Sequence, residues 1–563
     1  MDIKLESLTG HDKSAKVGKI NVSIGDMVEI NTVLLQVETG KGNSPIKAKG
    51  SYKIKEIKVN EGEEVKIGDT LIKVEVLEEN NSNKNNFNYF GNMIKGKDEK
   101  IETDLIVIGA GPGGYVSAIY AAKRGLKVVS IEKENLGGTC LNVGCIPTKA
   151  LVKSSEVYYN LVNCNEFGLE CENPKVNMGK IIDRKDKIKN TLVSGIDYLL
   201  NKNEVKQIKG EASFKDKRTI EVKSGRDKYS ITGKNIIIAT GSKISKINIK
   251  GIEEPFVLNS TTALSSKEKP KSITIIGGGV IGMEFAFMYS NLGVKVNVVE
   301  FADRLLTMVD SEISEEIKNI AEKKGITIFN SSKVSRIEKT ENGEALVIFN
   351  KGEEEKYIVS EKVLVAIGRE PNIEGLEIEN ANIKLNENLR GIEVSETLET
   401  NIDGIYAIGD VNNIMQLAHI ASHQGIVAVD NILGENKTVD YSAVPNVIFT
   451  YPEIASVGLT EDQAKNNDIK YKTSKFYFQG NGKALTMGEN EGFIKLVKDI
   501  EKDKIIGASI IGPDASSLVS TLTLIIKNNI KEDGIIETIF AHPTTGEVIH
   551  EAALELGIGG LHC

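Results

Sequence analysis

Over the first 76 residues, short β-branched runs are separated by Gly-Asp or Glu-Gly pairs, a pattern that predicts strands joined by turns. The pattern repeats. Val22 to Glu38 aligns without gaps on Val59 to Glu75, with identities at Val22/Val59, Gly25/Gly62, Val28/Val65, Ile30/Ile67, Leu34/Leu71, Val37/Val74 and Glu38/Glu75. A duplicated strand set of this size predicts a small two-sheet sandwich with pseudo-twofold symmetry, spanning 1–76. Between the halves, residues 38–43 form a polar, glycine-flanked turn with Lys41 at its tip. Residues 77–100 are rich in Asn, Lys and Glu without a sustained period, which predicts a flexible linker. Its root-mean-square span would be roughly 25–30 Å, enough for a tethered head.

From Thr103 the pattern changes to buried strand, glycine turn and helix, and the same unit recurs from Ser272. Two such units predict two Rossmann-like α/β domains, the first from 101–242 with 368–443 and the second from 243–367. After about residue 444, strands such as 446–450 and 492–497 alternate with helical stretches, predicting an α+β domain over 444–563.

Composition narrows the class. A chain of 563 residues exceeds one hydrophobic core, and 40% hydrophobic with 26% charged residues is globular. A formal charge of −9 argues against nucleic acid or an anionic membrane as partner. No apolar run is long enough to span a bilayer, and MDIKLESL lacks the features of a signal peptide, so a cytoplasmic protein is expected. Five cysteines do not make a disulfide framework in a reducing compartment. Cys164 and Cys171 read as ordinary thiols and Cys563 as an idle terminal residue.

Gly109, Gly111 and Gly114 form GxGxxG directly after a strand and before a helix. The three glycines serve a tight turn, close approach of backbone to a pyrophosphate, and close helix–strand packing. The helix N-terminus then offers unpaired N–H groups to phosphate, and Glu132 ends the next strand, where it can accept ribose hydroxyls. Gly277, Gly279 and Gly282 with Glu300 repeat the arrangement. An acid at that place favours NAD over NADP, although Lys295 and Arg304 lie nearby in sequence.

The run from Gly137 to Lys149, GlyGlyThrCysLeuAsnValGlyCysIleProThrLys, places Cys140 and Cys145 more than one turn apart on one side of a helix, with Pro147 distorting or ending it. A local disulfide needs particular geometry but no long loop closure. Zinc would need two more ligands nearby; none is present, and no metal is expected. A redox role fits best.

This segment resembles the active-site motif of the pyridine nucleotide–disulfide oxidoreductases, and its ThrLys ending is most similar to the dihydrolipoamide dehydrogenase branch. The resemblance runs from about Thr103 to the end and includes AlaThrGlySer at 239–242, AlaIleGlyArgGluProAsn at 366–372 and GlyIleTyrAlaIleGlyAspVal at 404–411. It implies FAD on the first fingerprint, with Gly241, Asp410 and the helix at Ala418 and His419 beside it, and NAD on the second. It also implies a Lys149–Glu284 ion pair beside the flavin. AlaHisProThrThrGlyGlu at 541–547 is similar to the family's His-Pro…Glu motif, although ThrThrGly stands where ThrLeuSer is more usual. His542 would be the acid–base partner and Glu547 its orienting carboxylate. In the family this histidine reaches the cysteines of the other subunit, which implies a homodimer. His550 and His562 lack such a setting and are expected to be solvated.

ValGluThrGlyLysGly resembles the lipoyl-attachment turn of lipoyl domains, with Gly40 and Gly42 replacing the usual aspartate and alanine. A biotinyl domain would want methionines flanking the lysine. The expectation is an FAD- and NAD-dependent oxidation of protein-bound dihydrolipoamide, by a chain with its own lipoyl group on Lys41 and lipoyl-bearing proteins of a multienzyme complex as partners. The alternatives are a related disulfide reductase, of glutathione or mercuric type, or mainly a lipoyl carrier.

Overall fold

The duplicated sequence at the N-terminus folds into duplicated strands. One sheet runs Asp2–Lys4, Thr70–Val76, Tyr52–Ile57, Met27–Val28, and the other Gly42–Lys47, Val33–Thr39, Ser14–Ile20, Glu64–Lys66. Replacing each strand by its counterpart in the other repeat converts one order into the other. Val22, Val28, Leu34 and Val37 are buried, as are their counterparts Val59, Val65, Leu71 and Val74, and all belong to one core. Gly25 and Gly62 hold equivalent left-handed turns at φ +98° and +89°. The computed structural model describes residues 2–5, 14–28, 32–39, 42–50, 52–76, 96–388 and 390–562. Thr39 pairs with Gly42 at one end of two antiparallel strands. Gly40, Lys41 and Cys563 lie outside the described residues, as do 77–95 of the expected linker 77–100, while Asp98 to Lys100, expected as linker, already belong to the strand Asp98–Ile108.

The chain divides into two compact units, Met1–Ile94 and Lys95–Cys563. In the second, the strands Lys206–Lys209, Val128–Glu132, Asp98–Ile108 and Asp227–Ile238 lie parallel in that order. The short strand Ile405–Ala407 joins them parallel to Asp227–Ile238, so residues from beyond the second α/β unit complete the first sheet. The second sheet is parallel throughout, in the order Val257–Asn259, Lys362–Val365, Ser272–Ile276, Lys295–Val299, Thr327–Phe329. The strands Ser242–Ile244 and Arg369–Pro371 pair antiparallel where the chain leaves one sheet for the other and returns. A five-stranded antiparallel sheet from Asn446 to Gly512 follows, packed against the helices Ala515–Lys527 and Glu547–Leu556 around Phe478, Leu496, Ile510, Leu522 and Ile549. The class is the predicted one: an all-β sandwich, then two Rossmann-like domains and an α+β domain.

Candidate active site

The two glycine loops are congruent. Gly109 and Gly277 stand at φ +97° and +108°, a region closed to most side chains. A Cβ on Gly114 or Gly282 would lie 1.9 Å from the carbonyl oxygen of Gly109 or Gly277, so these positions serve helix–strand packing. The middle glycines differ. A Cβ on Gly279 would meet nothing within 4 Å, and one on Gly111 would come only within 3.9 Å of Gly138 Cα. Both N-cap their helices without a side-chain cap, so the first N–H groups face open space. Glu132 accepts N–H bonds from Ala110 and Glu134, each at 2.7 Å. Glu300 likewise accepts from Gly278 and, at 2.6 Å, from Ala302. Each carboxylate therefore braces its glycine loop and keeps lone pairs for ribose hydroxyls. Arg304 is turned to the carbonyls of Thr307 and Val309, and Lys295 is exposed at the opposite end of the strand that leads to Glu300.

One cavity of about 1460 Å³ is lined by Gly109, Gly111, Glu132, Cys140, Cys145, Lys149, Gly241, Gly277, Gly279, Glu284, Glu300, Asp410 and Ala418. Of the expected nucleotide and redox residues, the packing glycines Gly114 and Gly282 and also His419, His542 and Glu547 are not part of this lining. An extended dinucleotide fits each half: an open glycine, an uncapped helix start, and a carboxylate at the end of the next strand.

The expected single helix through the cysteines is two helices. Gly138–Asn142 carries Cys140, a break at Val143 and Gly144 follows, and Cys145 is the first residue of Cys145–Val162. Pro147 sits in the first turn, where its missing N–H breaks no helical bond, and ends nothing. Gly138 packs on the first nucleotide loop, where a Cβ would stand 2.7 Å from Gly111 Cα. The two sulfurs are thiols here, with Cys140 donating to Cys145. That bond lowers the Cys145 pKa; burial opposes it, and the Lys149 ammonium assists. The same contact, with burial, raises the Cys140 thiol. The helix N-terminus adds partial positive charge at Cys145. Cys145 is therefore the sulfur prepared to carry negative charge.

Lys149 lies one turn after Cys145 and pairs with Glu284 at 2.8 and 2.9 Å. The Phe449 N–H donates to the same carboxylate at 3.0 Å, and the Lys149 ammonium stands 4.5 Å from the Phe449 ring centre. One buried carboxylate thus ties the cysteine helix to the second α/β domain and the C-terminal sheet.

Three polar side chains were not singled out in advance. Ser242 donates to Asp410 Oδ2 at 2.5 Å, and Arg369 donates to Ser242 Oγ at 2.8 Å, to Ser242 O at 2.6 Å and to Thr139 Oγ1 at 3.1 Å. The chain of contacts runs from Asp410 to the residue before Cys140. All three lie inside motifs recognisable in the sequence, which was the available signal. Ala418 begins an uncapped helix whose N-terminus faces the cavity, and burial holds the neighbouring His419 imidazole below its ordinary pKa.

His542 and Glu547 form the expected pair, Nδ1 to Oε1 at 2.9 Å, and the Thr544 N–H donates to Oε2 at 2.8 Å. Glu547 lies below the usual carboxylate range: burial raises it, but the Thr544 N–H and His542 more than offset this. The His542 side chain is 79% exposed and is not among the residues lining the cavity of its own chain. His550 departs from the expected solvation, whereas His562 is solvated as expected but has a carboxylate partner. The His550 ring is half-buried against Phe540 with Nε2 3.1 Å from Ile536 O, and His562, though exposed, pairs with Glu551 at 2.7 Å. Cys164 is buried, 3.3 Å from Leu169 O.

Residues 103–425 match the family model of the pyridine nucleotide-disulphide oxidoreductases, and 444–553 match that family's dimerisation domain. The chain belongs to this family. Residues 6–74 of this oxidoreductase match a separate model, that of biotin-requiring enzymes, which covers biotin and lipoyl domains. The oxidoreductase is 43% identical over 469 residues to a dihydrolipoyl dehydrogenase of Geobacillus stearothermophilus, covering 83% of this chain and 98% of that protein. It is 42% identical over 470 residues to one of Bacillus subtilis, with the same coverages of 83% and 98%. Among solved structures it is similar to the HOCl-induced flavoprotein disulfide reductase RclA from Escherichia coli, at TM-score 0.72 and 29% identity, covering 80% of this oxidoreductase and 99% of that chain.

Proposed function

We propose that this oxidoreductase converts protein-bound dihydrolipoamide to lipoamide while reducing NAD⁺, as a component of a 2-oxo-acid dehydrogenase-type or related multienzyme complex. The observation that carries the reading is the Cys140–Cys145 pair on the wall of the cavity that both nucleotide loops also line. The N-terminal sandwich favours a lipoyl substrate over glutathione or a metal ion, since a chain that carries a lipoyl-type head works where such heads are supplied. Lipoylation would fall on Lys41, and a tethered arm gains from the raised local concentration near an oxidising site. The cytoplasm, where free thiols stay reduced, is the compartment this chemistry fits.

His542 takes the proton from a substrate thiol, and Glu547 holds the ring by Nδ1 so that Nε2 is the accepting atom. The substrate thiolate attacks Cys140 of the oxidised pair, and the Cys145 sulfur leaves as thiolate. Lys149 and the helix start stabilise that leaving charge. The second substrate sulfur, its proton passing to the departing Cys140 sulfur, then displaces Cys140; the cyclic disulfide departs and two electrons remain as the Cys140 thiol and the Cys145 thiolate. FAD held by Gly109, Gly111 and Glu132 would supply the two-electron acceptor for the pair, and NAD⁺ held by Gly277, Gly279 and Glu300 would be the final oxidant. Glu300, with Arg304 turned away, suits a free 2′-hydroxyl there. Because His542 lies off the cavity of its own chain, it would serve the cysteines of a second copy in a homodimer.

The test is NAD⁺ reduction by dihydrolipoamide. Cys145→Ser and His542→Ala should each lose about 10²-fold or more in turnover. Co-expressing the two variant chains should restore activity, because mixed dimers then contain one intact site. Near-normal turnover in either variant alone would overturn the assignment.

A further inference from the structure

A second histidine–carboxylate pair hangs from the helix that carries Glu547. Glu551 lies one turn further on, with its side chain only 8% exposed. His562 Nδ1 is 2.7 Å from Glu551 Oε1, and the N–H groups of Leu561 and His562 donate to Oε2 at 3.1 and 3.3 Å. The His542–Glu547 pair is built alike, with Nδ1 on one carboxylate oxygen and a backbone N–H on the other. The two pairs also share a footing. The His562 carbonyl oxygen would stand 3.0 Å from a Cβ on Gly480, and the next residue, Asn481, donates from Nδ2 to Thr544 O at 3.0 Å. The chain's end and the loop bearing His542 therefore rest on one turn, and Glu555 secures that end further by accepting the Gly560 N–H at 2.6 Å.

We propose that His562, held by Glu551 one helical turn from Glu547, is a positioning residue for the base: a cation that keeps Glu547 ionised and His542 ready to accept a thiol proton. The proposal deepens the functional reading above and rests on it for the identity of that thiol. Its electrostatics are consistent. The Glu551 hydrogen bond raises the His562 pKa, so the cation is present below that raised value and lost as pH rises through it. Against the cost of burial, Glu547 is held down chiefly by the Thr544 N–H and by His542, and the charge on His562 adds the smallest contribution in the same sense. The other charged groups packed on this helix are otherwise engaged. Lys472 reaches Leu556 O, Lys498 pairs with Asp503 and Glu532, and Asp514 accepts from Thr545. On the helix itself, His550 faces Ile536 O.

The test compares full-length, flavin-loaded His562→Gln and His562→Arg with the parent. The readout is the protonation midpoint of the His542–Glu547 pair, followed by NMR on ring-labelled histidine. The chain has six histidines, and His542→Gln assigns the signal. His562→Gln should move the midpoint up by about half a pH unit, the size of one nearby solvent-screened charge. The acid limb of kcat/KM for dihydrolipoamide oxidation should follow. His562→Arg keeps the charge and should stay with the parent. A residue that only packed would make both variants alike, and equal midpoints in all three proteins, or equal shifts in both variants, overturn the proposal. A parent that failed to oxidise dihydrolipoamide would count against the functional reading and leave this comparison standing.

Discussion

Replacing Glu284 by glutamine keeps the shape of the side chain and removes one charge from the junction of three domains. The carboxylate is 5% exposed and Lys149, 2.8 Å away, is 28% exposed. At that separation and an effective dielectric constant of about 20, the gross attraction is about 6 kcal/mol. Desolvating both ions offsets much of this. Removing one partner of a buried pair costs about 3–5 kcal/mol, and the water that reaches Lys149 brings the expected loss to about 2–3 kcal/mol. The sulfur responds in the opposite sense. Glu284 raises the Cys145 pKa and Lys149 lowers it, so Glu284→Gln should make the thiolate form more readily while the protein becomes less stable. Lys149→Met should push the thiol up. The assays are urea unfolding followed by flavin fluorescence, and the pH titration of the long-wavelength thiolate–flavin absorption after two-electron reduction. A Glu284→Gln variant that titrated at higher pH than the parent, or lost under about 0.5 kcal/mol, would refute the electrostatic account.

Gly279→Ala should leave the fold and bound flavin intact, since its methyl group meets no protein atom within 4 Å, while raising KM for NAD⁺ about tenfold or more by filling the nucleotide cradle. Gly111→Ala should instead impair flavin retention, measured by absorbance after gel filtration; the reverse pattern would exchange the two nucleotides. Asp430, 3% exposed, binds Arg124 at 2.8 Å and Lys437 at 2.7 Å, and Tyr120 donates to it at 2.8 Å. Burial raises its pKa, but Lys437 and Tyr120 more than offset this, so the folded value lies below the unfolded one. Its stabilisation is present above the ordinary carboxylate range and disappears as pH falls through the folded value. Asp430→Asn should therefore cost about 2 kcal/mol near neutrality and flatten the loss of thermal stability that sets in below about pH 4. An unchanged acid slope would contradict this.

The repeat and both fingerprints were legible because their signals are local. Gly25 and Gly62 need positive φ within a turn, and Gly109 and Gly277 end a strand in the same way. Local spacing also misled. Cys140 and Cys145 suggested one continuous helix, but the break at Gly144, where a Cβ would meet Thr139 O at 2.9 Å, makes two. The network of Arg369, Ser242 and Thr139 left no periodic trace, because its contacts span 127 and 230 residues. His562 looked unsupported for a related reason. Its partner Glu551 is a buried carboxylate whose burial is fixed by packing of the helix on the antiparallel sheet. What long-range packing decides, sequence spacing does not reveal.

The congruence of the two glycine loops explains why the glycines alone do not assign the nucleotides. Glu132 and Glu300 brace their loops through the same two N–H positions, and the packing glycines meet the same carbonyl at the same 1.9 Å. The difference lies in what abuts each loop. Gly138 brings the start of the cysteine segment against Gly111, so whatever binds the first loop lies beside the segment that leads to Cys140. At the second loop the counterpart of Gly111 is Gly279, and a Cβ there would meet nothing within 4 Å. Under the proposed function, the acceptor for the dithiol would therefore occupy the first loop and NAD⁺ the second, because only the first loop abuts the cysteine segment.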